Sequence, residues 1–148
     1  MVGLPGVGAE LDALLRMGLV VLCGLAVGYT RAHSSGANRM RVHVLVGLSA
    51  CLMVLAAGPD LEARSRAIQG VATGVGFLGA GEILVDRSGD KRSHLPPQVH
   101  GLTSAASIWF TAALGVTVAA STPMLAAVAL VLALVVLSQH HRTGEPHG

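Results

Sequence analysis

The chain has 148 residues, 52% of them hydrophobic and 12% charged, with a formal net charge of +2 and a mean hydropathy of +0.65. Soluble domains average about 25% charged residues, so an ordinary water-soluble domain is excluded. The small net charge and 3% aromatic content leave no basic-aromatic stripe for nucleic acid.

The first apolar run holds Cys23 and the second Cys51, with no metal-ligand or redox spacing between them, and both read as buried free thiols. Before the first run stand Glu10 and Asp12 and no Lys or Arg, which argues against a cleaved signal peptide.

A spanning helix needs about 20 apolar residues. Five stretches qualify in chain order: 13–29, 43–58, 67–85, 102–120 and 123–138. The expected class is therefore an all-α, polytopic membrane helix bundle. Residues 1–12 form a short extracytoplasmic segment, 13–138 the membrane domain and 139–148 a disordered cytoplasmic tail. Pro123 suits the first position of the fifth helix.

The third stretch is crowded with small residues: Gly70, Gly74, Gly76, Gly79 and Gly81, with Ala67, Ala72 and Ala80. Glycine costs about 1 kcal/mol against alanine inside a helix, whereas in lipid small residues let backbones approach closely. This stretch is predicted to be the tightly packed central helix. Gly24 and Gly28 in the first span match Gly70 and Gly74 in the third, which predicts that these two spans pack together.

The segments following spans one, three and five carry Arg31, Arg39, Arg41, Arg87, Lys91, Arg92 and Arg142, against Arg16, Arg64 and Arg66 on the other side. The positive-inside rule then puts the N-terminus outside and the C-terminus in the cytoplasm.

In this topology the unusual polar groups gather at the cytoplasmic end. Arg41, His43, Glu82, His100 and Thr103 form the candidate functional cluster. An ionisable residue within a span is a functional-site hypothesis whose partner should be named; for Glu82 the partners are Arg41, His43, Arg31 and His100. Thr103, Ser107, Thr111 and Gly115 form a polar stripe at i, i+4 spacing, read as glue between helices. Residues 86–100, with Ser88-Gly89 and Pro96-Pro97, read as a solvated connector.

Three motifs resemble the MgtC/SapB-type membrane proteins. Arg66 followed by Gly74-Val75-Gly76-Phe77-Leu78-Gly79-Ala80-Gly81 is similar to that family's third helix. Val99 with Gly101-Leu102-Thr103-Ser104-Ala105-Ala106-Ser107-Ile108-Trp109 is similar to the opening of its fourth, and Arg41-Val42-His43 to the opening of its second. Three family positions differ: Thr30 and Ala32 stand where an acidic residue is usual, Gly70 where a glutamine is frequent, and His100 where an arginine is.

The resemblance implies the membrane domain of a bacterial cytoplasmic-membrane protein linked to magnesium limitation, acid stress or intracellular survival. It implies a regulatory role through a homo-oligomer or another integral membrane protein, with the proton-translocating ATP synthase as the family's candidate partner. The alternative is a Mg²⁺ or proton translocator, assembled as an oligomer with Glu82 in the path. No His-Glu-x-x-His, Gly-x-Ser-x-Gly or phosphate-cradling loop occurs, so neither an enzyme nor a bound cofactor is expected.

Overall fold

The computed structural model describes residues 6–31, 37–86 and 98–139. The elements are α1 (Val7–Arg31), α2 (Ala37–Ala56), α3 (Leu61–Glu82), β1 (Leu84–Asp86), β2 (Gln98–His100), α4 (Leu102–Ala120) and α5 (Pro123–Gln139). All five expected helices form. The readings made for the N-terminal five residues, for 87–97 and for the tail beyond 139 lie outside the described residues.

α1 begins at Val7 rather than Ala13 and α2 at Ala37 rather than His43, and both ends of α3 differ from expectation for local reasons. α3 starts at Leu61 rather than Ala67 because Asp60 caps it, its Oδ1 accepting the Ala63 N–H at 2.7 Å. It stops at Glu82 rather than Val85 because Ile83 turns extended and Leu84–Asp86 pairs antiparallel with Gln98–His100. The connector between α3 and α4 thus has a β-ribbon at its base, with Val85 opposite Val99. β-branched and apolar residues suit such a ladder better than a helix end.

Among the described residues, Val7–Arg31, Asn38–Ala56 and Leu102–Ala120 are long and apolar enough to cross a membrane; α5 is apolar but only 17 residues long. α3 has the length, at 22 residues, but its first turns carry Glu62, Arg64, Ser65 and Arg66.

The central helix is α4, which corrects the expectation for α3. Ten α4 residues are buried, from Ser104 to Ala119, and they face more than one neighbour. Leu114, Val118 and Ala119 join Val20, Cys23 and Val27 of α1, Cys51 and Val54 of α2, and Ala126 of α5 in one cluster. Ile108 and Ala112 join Ala50 of α2 and Val71 and Val75 of α3 in a second. Serine, alanine, threonine and glycine dominate the buried side of α4, so several backbones fit around it. A Cβ on Gly115 would run into the Gly47 carbonyl oxygen of α2, so that crossing requires glycine.

The expected pairing of the first and third spans is also corrected. A Cβ on Gly24 would lie 2.8 Å from Val44 Cα, and one on Gly28 would lie 2.8 Å from Met40 Cα, so the α1 glycines serve the α1–α2 contact. α1 and α3 share no extended contact. On α3 only Val71, Val75 and Gly79 are buried, an i, i+4 stripe laid against α4. Gly79 would meet Ala105 Cβ at 3.7 Å, whereas Gly70, Gly74, Gly76 and Gly81 have nothing within 4 Å of an added Cβ. Gly70, Gly74 and Gly81 share one face of α3, where Gly70 and Gly74 border a groove against α2, and Gly76 lies on the opposite flank.

Candidate functional site

A polar cluster forms where α1 ends and α2 and α4 begin. Arg31 is the last residue of α1, Arg39 lies in the first turn of α2, and Ser104 lies in the first turn of α4. Arg39 Nη1 donates to Ser104 Oγ, and Arg31 Nη2 donates to the same oxygen at 3.4 Å. One turn deeper, His43 is only 2% exposed. Its Nδ1 lies 2.8 Å from the Arg39 carbonyl and its Nε2 lies 3.0 Å from Ser107 Oγ.

Hydrogen-bond chemistry assigns the protons. A carbonyl only accepts, so Nδ1 carries hydrogen and Nε2 of the neutral ring accepts from Ser107. The single Ser107 proton has a second acceptor, the Ser104 carbonyl at 2.8 Å. A second proton on the ring would let Nε2 donate to Ser107 while Ser107 donates to Ser104, satisfying both bonds at once. Thr111 Oγ1 continues the line by donating to the Ser107 carbonyl at 2.8 Å. Ser104, Ser107 and Thr111 are all buried, and Ser107 and Thr111 also bond carbonyls of their own helix.

Of the predicted cluster, the structure brings His43 into contact with α4. It turns Thr103 outward, into a groove of about 460 Å³ between α4 and α5, lined with Ala106, Phe110, Leu132 and Val136. Ser107, Thr111 and Gly115 of the polar stripe face inward; Thr103 does not, and Ser104 takes its place. Arg41 is exposed. Glu82 is half-buried at the last position of α3 and makes no ion pair with Arg41, Arg31 or His43; the ion pairs among the described residues are Arg16–Asp12 and Arg66–Glu62. His100 has its backbone in β2, and its side chain lies outside the described structure.

The backbone at Glu82 has a clear role. Gly101 has φ of 91°, and a Cβ there would collide with the Glu82 carbonyl, so glycine joins the end of α3 to the start of α4. Sequence reasoning missed Arg39 and Ser104 as site residues. The available signal was spacing: Arg39 and His43 stand at i, i+4, as do Ser107 and Thr111, with Ser104 three residues before Ser107. Among the described residues no group of three His, Cys, Asp or Glu side chains could hold a metal ion.

A five-helix membrane bundle with a buried polar knot at one end is the class of protein this arrangement defines. The chain belongs to the MgtC family, whose family model matches residues 17–145. It is 38% identical over 143 residues to SrpB of Synechococcus elongatus, covering 91% of this chain and 78% of that protein. YhiD of Escherichia coli strain K12, a candidate magnesium transporter by its name, is 31% identical over 144 residues. MgtC of Salmonella typhimurium strain LT2 is 31% identical over 106 residues. The chain spans 61% of the length of YhiD and 41% of that of MgtC. No solved structure matches it. The resemblance read from the three motifs is thus borne out at the level of the family.

Proposed function

We propose that this chain is a non-enzymatic, multi-pass protein of the bacterial cytoplasmic membrane that regulates by helix–helix contact. The partner is a second copy or another integral membrane protein, and the setting is magnesium limitation, acid stress or intracellular survival. The observation that carries this reading is the exposed face of α3 shared by Gly70, Gly74 and Gly81, which have open space around them. Glycines inside a helix weaken it, and close approach of another helix is what offsets that cost in lipid. By family resemblance the proton-translocating ATP synthase is one partner to test.

Phe77, 82% exposed on α3, is the position to probe. A photo-crosslinking phenylalanine analogue there should trap a membrane protein, while the same analogue at Val131 on α5 should not. Identical products from both positions, or none from Phe77, would reject the contact model. The orientation with the N-terminus outside is part of this reading, and a reporter fused after Gly148 should then report cytoplasm.

The second reading is translocation of a proton or Mg²⁺ by an oligomer. The buried His43–Ser107 contact favours it, because an imidazole and a hydroxyl held together between α2 and α4 are groups that can exchange a proton. Magnesium demands several oxygen ligands and keeps its waters, which favours the proton over the metal. Flux through vesicles containing the purified chain, abolished by His43→Ala without loss of fold, would select this reading over the first.

A further inference from the structure

We propose that Arg31, Arg39 and the first turn of α4 form an anion site for a phosphate group, supplied by an acidic phospholipid headgroup or by free inorganic phosphate. The support is a surplus of donors. Two guanidinium groups share one neutral acceptor, the Ser104 hydroxyl oxygen. With both lone pairs of that oxygen engaged, its remaining hydrogen-bonding capacity is its own proton. Arg31 Nε is buried and has no hydrogen-bond partner among the described residues.

The helix start adds to the surplus. Gly101 at the N-cap has no side chain to offer, and no cap hydrogen bond forms. The Ala105 N–H returns to the Gly101 carbonyl, while the amides of Leu102, Thr103 and Ser104 find no backbone acceptor among the described residues. Side chains in a helix lean toward its N-terminus, so the Ser104 hydroxyl stands beside those amides. Among the described residues the groups that converge here, apart from the Ser104 oxygen, are donors, and Glu82 makes no ion pair with either arginine. Phosphate offers several acceptor oxygens in the geometry that guanidinium forks and a helix N-terminus both recognise. α1, α2, α3 and α4 all begin or end on this side of the bundle, which puts the cluster at a helix-end layer where a headgroup can reach it.

The test uses the full chain purified in a mild non-ionic detergent. One arm titrates inorganic phosphate; the other compares retention of short-chain phosphatidylglycerol with that of phosphatidylcholine by native mass spectrometry. Binding of inorganic phosphate, or preferential retention of phosphatidylglycerol, supports the site and identifies the source. Arg31→Gln with Arg39→Gln should weaken whichever binding is seen by roughly tenfold or more, the factor that 1.4 kcal/mol represents. Arg41→Gln, exposed on the same helix as Arg39, should change it less than about twofold. Ser104→Asp supplies a built-in carboxylate, so it should raise the thermal midpoint and at the same time block binding. No binding in either arm, equal binding by the double variant, equal loss with Arg41→Gln, or a lower midpoint for Ser104→Asp would overturn the proposal.

Discussion

Arg16 on α1 donates through Nη1 to the Val118 carbonyl at 2.6 Å, tying the first helix to the C-terminal end of the fourth. The same nitrogen reaches the carbonyls of Ala119 and Ser121 at 3.5 Å, and Nε holds Asp12 at 2.7 Å. The last carbonyls of a helix lack intrahelical partners and carry the negative end of its dipole, so a cation there is doubly favoured. The charge of Arg16, within a largely apolar helix, is thereby given a structural task.

Arg16→Gln should lower stability by about 1.5–3 kcal/mol, the usual worth of hydrogen bonds to a charged group. Asp12→Asn should cost less than about 1 kcal/mol, because Asp12 is largely exposed and such pairs are weak. Unfolding midpoints in detergent give the comparison; equal losses would show that the ion pair, not the helix cap, is what matters.

The glycines separate into two kinds. Gly115→Leu should prevent folding, since even a Cβ there meets the Gly47 carbonyl. Gly79→Leu should destabilise by about 1–3 kcal/mol through overpacking against Ala105. Gly74→Leu should leave the folded monomer intact and reduce only its association with a partner. Recovery of monodisperse protein, with crosslinking from Phe77, checks all three.

His43 and Ser107 should couple. A double-mutant cycle with His43→Ala and Ser107→Ala should give an interaction energy of roughly 0.6 kcal/mol, the average for hydrogen bonds between membrane helices. A value near zero would mean that Ser107 is satisfied by the Ser104 carbonyl alone.

Glu82 and Arg41 should not couple. The two form no ion pair, and Arg41 is exposed, so losses from Glu82→Gln and Arg41→Gln should add within about 0.5 kcal/mol. A larger departure from additivity would restore the pairing that the sequence suggests.

Composition and run length determined much of this protein. They supplied the membrane class, the five helices, and the limits 102–120 of α4, because hydrophobic runs and a Pro123 start are local properties. The motifs around Gly74–Gly81 and Gly101–Trp109 supplied the family. The sequence did not reveal which helix is the hub, because small residues occur on both α3 and α4 and favour close packing equally on either. Only the tertiary structure chose α4, buried the α1 glycines against α2, and left four α3 glycines bare. It likewise gave His43 a partner 64 residues away and Arg16 one 102 residues away. A side chain's partner depends on how neighbouring helices rotate about their axes, and that rotation is set by the packing of all five at once.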